Sequence, residues 1–213
     1  MGNGGLRVLA ELSFARTLFR PTGVWYPAVM NDQTPQRMTV DEYLPWAMAQ
    51  DGRWELIDGR PVKMPSETFD HIDVKFFVCL VLKELAAASG QELHVLSDGA
   101  TVRINTHNAN EPDALVYAGP KRSGRSIELS DPVILVEVVS PTSGVRDRIR
   151  KRAVYFSLPS VEHYLVVEPE ARTLLHFDRS NWQGDGRLLG EADIVDLTPP
   201  GLKLPVRRCF SFR

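Results

Sequence analysis

The sequence predicts a mixed α/β fold, in which a central mixed β-sheet is flanked by helices. Two observations lead to this prediction. Apolar residues recur at helical spacing over residues 70–88 and 144–156, whereas the short runs between and after them are rich in the aliphatic residues typical of strands. The chain also has 213 residues, of which 43% are hydrophobic, so it can bury a core within one domain.

The first regular elements are a short helix and a hairpin. The helix begins at a capping box, because the Thr39 hydroxyl can accept a helix N–H while Glu42 reaches back, and it continues to about Gln50. A hairpin follows from Trp54 to Met64. Its turn is predicted at Asp58-Gly59, because both residues tolerate a positive φ.

The long helix over residues 70–88 ends before Gly90, and its wide apolar ring predicts packing under a sheet. The strands and the third helix are predicted in the following order: strands 93–97, 100–104, 114–117 and 133–139, a helix 144–156, a strand 163–167, two or three strands within 173–197, and an extended run that ends near Phe212. The run 133–139 is apolar apart from Glu137, which predicts a strand covered on both faces.

Charge and cysteine content exclude several classes of protein. A formal net charge of −2 excludes binding to nucleic acid through bulk positive charge. Cys79 and Cys209 are too few for a disulfide framework or a cysteine zinc cluster, which favours a reducing, cytoplasmic location. No apolar run reaches the length of a membrane span, so no membrane partner is expected. Residues 1–37 are interpreted as a poorly ordered extension and 38–213 as the folded domain.

Two acids at strand ends are the first candidates for chemistry. Glu137 shares a strand face with Leu135 and Val139, where a carboxylate is costly unless it is paired or bound to a metal. Asp113 opens the strand that begins at Ala114. The two carboxylates could converge at one rim of the sheet and bind a hard ion such as Mg²⁺. The alternatives are that an arginine pairs with Glu137 and that Asp113 is a turn residue.

A basic helix follows Glu137. Five of the seven residues from 146 to 152 are cations: Arg146, Arg148, Arg150, Lys151 and Arg152. They could contact phosphates or form a solvated face. Lys151 and Tyr155 are four residues apart and so share a helix face. Glu55, in the hairpin, is either a further functional acid or a salt-bridge partner, and His71 is favoured as a capping or solvent-exposed residue.

Several motifs together resemble the Uma-two restriction endonuclease family, which belongs to the PD-(D/E)xK nuclease superfamily. The similarity covers about residues 38–210 and is carried by these segments: 38–43, 54–59, Glu111-Pro112-Asp113, 134–141, Asp147 with Lys151 and Tyr155, and 161–167. The resemblance implies a restriction-endonuclease-like fold. It also implies that Asp113 and Glu137 bind the metal, with the Val138 carbonyl as a further ligand and Glu55 as an accessory acid.

One position departs from the superfamily pattern, which has a lysine two residues after the second acid. Val139 occupies that position, and Lys151 fits a variant in which the lysine lies on the following helix. The resemblance therefore implies an endonuclease that hydrolyses DNA with Mg²⁺ or Mn²⁺. Lys151 would act at the scissile phosphate, Arg146, Arg148, Arg150 and Tyr155 would bind substrate, and a homodimer is expected. A nucleic-acid-binding module without catalysis and a non-catalytic interaction protein are the alternatives.

Overall fold

The computed structural model describes residues 37–139 and 145–211, and side chains in the third helix are described from Arg150 onward. Residues 1–36 of the predicted N-terminal extension, the side chains of Arg146 and Arg148, and Phe212 lie outside the described residues. The predicted division into an extension and a domain therefore stays a prediction.

Three helices and thirteen strands are described. The helices are α1 (Val40–Met48), α2 (Phe69–Ala88) and α3 (Val145–Phe156), and a 3-10 helix spans Val206–Cys209. The strands are β1 (Trp54–Ile57), β2 (Arg60–Lys63), β3 (Leu93–Ser97), β4 (Thr101–Asn105), β5 (Asn108–Asn110), β6 (Ala114–Ala118), β7 (Glu128–Leu129), β8 (Pro132–Val138), β9 (His163–Glu168), β10 (Thr173–Asp178), β11 (Arg187–Leu189), β12 (Ile194–Leu197) and β13 (Leu202–Pro205).

The central six-stranded sheet has the order β11-β10-β9-β8-β6-β3. Strand β8 pairs antiparallel with β6 and parallel with β9, so the sheet is mixed. A five-stranded sheet has the order β2-β1-β5-β4-β7, and β12 pairs with β13 in a separate ribbon. The predicted α/β class with a central mixed sheet is confirmed.

Strand β8 is buried on both faces, as predicted. Ile134 and Val136 belong to the core cluster that contains the buried face of α2. Leu135 belongs to the opposite cluster, which contains Tyr155 and Phe156 of α3. The period-2 alternation of strand side chains therefore places α2 and α3 against opposite faces of the sheet.

The first elements form as the local sequence predicts. Thr39 and Glu42 make the reciprocal capping-box hydrogen bonds. In the β1–β2 turn, Asp58 and Gly59 have φ values of 50° and 77°, as the hairpin interpretation requires. The longest described helix, α2, carries too many charges to cross a bilayer, and no other helix among the described residues qualifies.

The structure differs from the sequence interpretation in two connections. Strands β3 and β4 are separated by only three residues, 98–100, yet they lie in different sheets. The predicted final extended run ends at Pro205, which lacks the N–H needed to prolong a ladder, and a 3-10 helix follows.

Candidate active site

Two strand ends place Asp113 and Glu137 at one rim of the central sheet. Because β6 and β8 are antiparallel, the start of β6 lies beside the end of β8. The Asp113 N–H donates to the Val136 carbonyl (3.0 Å), and the Val138 N–H donates to Asp113 Oδ2 (2.6 Å). Asp113 and Glu137 are both buried. The structure therefore brings the two predicted acids together and fixes one of them through backbone hydrogen bonds.

Lys151 and Tyr155 contact Glu137 from α3, which packs on one face of the sheet. Lys151 Nζ lies 3.0 Å from both Glu137 carboxylate oxygens and 3.1 Å from Glu55 Oε1. The Tyr155 hydroxyl donates to Glu137 Oε1 (2.5 Å). Among the described residues, the cation paired with Glu137 is thus a lysine and not the arginine considered as an alternative.

Burial and neighbouring charges shift the ionisation of this centre. Burial raises the pKa of Glu137 to about 7, because the lowering effect of Lys151 does not outweigh desolvation. Burial by itself would lower the pKa of Lys151, but Glu137 and Glu55 together raise it. Burial, reinforced by Glu137, holds the pKa of Tyr155 well above its usual value. An additional cation near Glu137 would therefore favour its ionised form.

A second buried lysine, Lys75, contacts Asp113 from α2, the helix on the opposite face of the sheet. Lys75 Nζ lies 2.8 Å from Asp113 Oδ1, 2.7 Å from Glu67 Oε1 and 2.6 Å from Asp98 Oδ2. Burial would lower the pKa of Lys75, but its acidic partners raise it. Composition and residue spacing did not single out Lys75, Glu67 or Asp98.

Arg53 and Glu111 extend this network toward the lysine of α3. Arg53 pairs with Asp98 (2.9 Å), Glu67 (3.2 Å) and Glu111 (3.2 Å). The backbone N–H of Glu111 donates to Glu55 Oε1 (3.1 Å), the same oxygen that Lys151 contacts. The two lysine centres are therefore parts of one continuous polar network.

His71 lies in this network and not on a solvent-exposed helix surface. Its Nε2 is 3.8 Å from Asp113 Oδ2 and 4.0 Å from Glu67 Oε1. Its backbone N–H is capped by the Thr68 hydroxyl (3.4 Å), so the residue does occupy the first turn of α2 as predicted. Glu67, His71 and Lys75 recur at intervals of four residues, and this repeat was the available sequence signal.

A cleft of about 460 Å³ opens onto these groups. Its polar lining includes Glu55, Glu67, His71, Asp113, Glu137 and Lys151. Two groups of side chains in this region carry atoms of the types that bind metals. Asp113 and Glu137 offer the oxygen donors that suit Mg²⁺, and Glu67, His71 and Asp113 offer ligand atoms that all lie within 4.8 Å of one another.

The cations of α3 that are described differ in their surroundings. Arg152 donates to the Gly184 carbonyl (2.7 Å) and lies over the Phe177 ring at 4.7 Å, so it has a structural contact. Arg150 is half-buried. The role of the α3 arginines in phosphate binding stays a prediction.

Comparison with known proteins identifies the family. The Uma2 model, described as "Putative restriction endonuclease", matches residues 40–207. The chain belongs to the Uma2 family. The resemblance deduced from the sequence motifs is thereby confirmed, and it supports nuclease-type chemistry at the level of the family.

Two further proteins are similar to this Uma2 chain. A crystal structure of "a putative nuclease belonging to DUF820" from Anabaena variabilis has a TM-score of 0.62 and 15% identity, covering 81% of this chain and 97% of that one. This similarity shows a shared fold. The uncharacterized protein slr1290 of Synechocystis sp. is 26% identical over 175 residues, covering 80% of this chain and 90% of its own length.

Proposed function

We propose that this Uma2 protein is a metal-dependent endonuclease that hydrolyses phosphodiester bonds in DNA. The observation that carries the proposal is the pair of buried acids at adjacent strand ends, Asp113 and Glu137, which line an open cleft beside Lys151. Burying carboxylates at the bottom of a solvent-accessible cleft costs free energy, and a bound cation would offset that cost.

Asp113, Glu137 and the Val138 carbonyl would hold Mg²⁺ or Mn²⁺, with Glu55 as an accessory acid. The donors are all oxygen atoms, which fits a hard ion. A metal held there would polarise a phosphoryl oxygen and lower the pKa of a bound water. Because burial raises the pKa of Glu137 to about 7, a metal would compete with a proton at this carboxyl group, and its binding should strengthen as the pH rises.

Lys151 would orient the attacking water or offset charge that develops on the phosphate. Val139, which occupies the usual lysine position, packs in the core with α3 and has no group that could do so. Tyr155 is fully buried and bonded to Glu137. We therefore assign Tyr155 a positioning role on that acid in place of the predicted substrate contact.

The substrate would be held by phosphate contacts from Arg146, Arg148 and Arg150. Such contacts release counterions, so DNA binding should weaken steeply as the salt concentration rises. A homodimer would present two copies of this cleft, one for each strand of a duplex. The proposal therefore includes a homodimer, whose mass in solution can be measured by light scattering.

The decisive experiment measures cleavage of supercoiled plasmid DNA as Mg²⁺ or Mn²⁺ is titrated. We expect metal-dependent nicking or cutting that is lost in EDTA and in the Asp113→Ala and Glu137→Ala variants. Asp73→Asn is a matched control, because Asp73 is an exposed acid on α2. Cleavage that persists unchanged in EDTA and in both alanine variants would refute the proposal.

A DNA-binding module without catalysis is the second candidate. The observation that favours it is that both strand-end acids already have lysine partners, Lys75 for Asp113 and Lys151 for Glu137. It predicts salt-sensitive DNA binding with no turnover in either metal. The plasmid assay, combined with a binding assay at several salt concentrations, distinguishes the two functions.

A further inference from the structure

We propose that Glu67, His71 and Asp113 form a second divalent-metal site, and that it binds a transition-metal ion such as Zn²⁺ in preference to Mg²⁺. The site shares Asp113 with the ion proposed above, but it uses His71 of α2 and Glu67, just before that helix, in place of Glu137. It goes beyond the proposed nuclease function, because metal binding there can be measured without DNA.

The spacing of the three side chains supports a bound ion. His71 Nε2 lies 3.8 Å from Asp113 Oδ2 and 4.0 Å from Glu67 Oε1, too far for hydrogen bonds. Zinc–nitrogen and zinc–oxygen bonds are about 2.0–2.2 Å, so two ligand atoms of one tetrahedral ion lie about 3.3–3.6 Å apart, slightly closer than the distances seen here. Small side-chain rotations would bring all three ligands to bonding distance.

The backbone holds these ligands in place. Glu67 and His71 are four residues apart, and the Thr68 hydroxyl caps the helix by accepting from the His71 N–H (3.4 Å). Asp113 is fixed by the Val138 N–H (2.6 Å). A site whose ligands are supported by such contacts loses less conformational entropy when it binds an ion.

The balance of charge around the three side chains is a second, independent reason to expect a bound cation. The ion pairs of this region join two cations to four carboxylates: Arg53 and Lys75 with Glu67, Asp98, Glu111 and Asp113. With the four acids ionised, these residues carry two more negative charges than positive ones. A divalent ion would balance this excess.

Asp113 has enough acceptor capacity for both proposed ions. An ionised carboxylate has about four lone-pair positions on its two oxygens. Val138 N–H occupies one position on Oδ2, and Lys75 occupies one on Oδ1. Each oxygen therefore keeps a position for a metal, and Oδ2 is the oxygen that lies 3.8 Å from His71 Nε2.

The imidazole determines which metals fit. Carboxylate, carbonyl and water ligands suit Mg²⁺, whereas imidazole suits Zn²⁺ and its transition-metal neighbours. The Asp113–Glu137 pair has only oxygen donors, and the α2 site adds the nitrogen of His71. The two sites should therefore differ in metal preference although they share one carboxylate.

The test is calorimetric titration of the full chain with Zn²⁺ alone and with Mg²⁺ alone, without nucleic acid. We expect His71→Gln to weaken Zn²⁺ binding by about 100-fold or more, since loss of even an outer-shell partner of a metal site costs about 10- to 100-fold. Mg²⁺ binding should be unchanged by this substitution. The matched control Asp73→Asn, on the exposed face of α2, should leave Zn²⁺ binding unchanged.

Two further measurements separate this site from the proposed nuclease centre. Glu137→Gln should retain Zn²⁺ affinity while it removes a proposed Mg²⁺ ligand, so each proposal can fail without the other. Anomalous scattering at the zinc edge from a soaked wild-type crystal should place the ion between His71 and Asp113, with no substitution that could disturb folding. Equal Zn²⁺ affinity in wild type and His71→Gln, or a zinc peak elsewhere, would overturn the assignment.

Discussion

Two buried polar clusters lie at opposite ends of the β8–β9 ladder. One is the acid–lysine centre at the carboxyl end of β8, where Glu137 is paired in register with Val166 of β9. The other is at the start of β9, where His163 is aligned with Ile134 and contacts His176 of β10. Both border open clefts, of about 460 and 610 Å³, so solvent access does not distinguish them.

The histidine pair is neutral, and its donors and acceptors match. His163 Nε2 is 2.8 Å from the Pro199 carbonyl, which can only accept, so this nitrogen carries a proton. In the neutral ring Nδ1 is then an acceptor, and His176 Nε2 donates to it across 2.9 Å. Burial lowers the pKa of both imidazoles, that of His176 to about 4. This cluster needs no further partner.

The acid–lysine centre is charged, and its acids outnumber its cations. Lys151 is the shared partner of Glu55 and Glu137. Burial raises the pKa of Glu137, so the single lysine does not keep this carboxyl group fully ionised. Burial of polar groups therefore does not by itself indicate function. An excess of acids beside a cleft could accommodate a further cation, whereas a matched neutral pair has its polar groups satisfied within the protein.

The largest expected effect comes from removing the cation of the charged cluster. Lys151→Met leaves two buried carboxylates without their shared partner and should lower the free energy of unfolding by about 3–5 kcal/mol. Urea denaturation measures the change. The double variant Lys151→Met/Glu137→Gln should recover part of the loss, because it removes a buried charge. Equal instability of the single and double variants would mean that charge is not the cause.

The histidine pair should make the free energy of unfolding fall as the pH is lowered. The pKa of His176 is about 4 in the folded protein and 6.5 in its unperturbed state, so the unfolded chain binds the proton more readily. Its contribution is present above pH 6.5 and is lost as the pH falls through 4, by up to about 3 kcal/mol. His176→Gln keeps a donor without titrating and should flatten this slope. Parallel pH profiles of wild type and variant would contradict the assignment.

Added metal should distinguish the clusters by stabilising only the charged one. At free Mg²⁺ equal to 100 times its dissociation constant, binding to the folded state should add about 2.7 kcal/mol to the free energy of unfolding. EDTA should reverse the gain. Asp113→Asn should abolish it and His176→Gln should preserve it, as thermal melts with and without Mg²⁺ can show. The same gain in all three proteins would mean that the ion binds elsewhere.

The smallest effect is expected from the hydroxyl that supports Glu137. Tyr155→Phe removes a hydrogen bond to a buried carboxyl group and should cost about 1–2 kcal/mol, because Lys151 still contacts the acid. A Phe156→Leu variant tests packing in the same helix turn and serves as the control. If Tyr155→Phe were neutral while Phe156→Leu destabilised the protein, the hydroxyl would have no role in holding Glu137.

Local patterns were sufficient to predict much of the fold and part of the site. The alternation in β8 correctly separated Leu135 from Ile134 and Val136, and the four-residue spacing correctly placed Lys151 and Tyr155 on one face. These features depend on periodicities of 2.0 and 3.6 residues, which are visible in a single segment.

The remaining features depend on contacts between segments. Strand β5 was not predicted because Asn108 and Asn110 are polar residues whose burial depends on a neighbouring strand. Nothing local indicates that β3 and β4 join different sheets, which brings Asp98 to Lys75. Lys75 itself was missed because a lysine in an apolar helix can be understood only once its three acidic partners are in place.

The acids and the lysines of the buried ion pairs come from different kinds of secondary structure, and this difference affects how the protein folds. The buried acids lie on strands and on the segments that flank them, whereas their lysine partners lie on helices, Lys75 on α2 and Lys151 on α3. Before the helices dock, the assembled sheet edge carries carboxylates that repel one another. Docking of each helix is therefore coupled to charge neutralisation, which makes sheet completion and helix docking cooperative. Mutation of either lysine should therefore slow folding as well as lower stability, which corresponds to a substantial kinetic φ-value, the fraction of the stability change already present in the transition state.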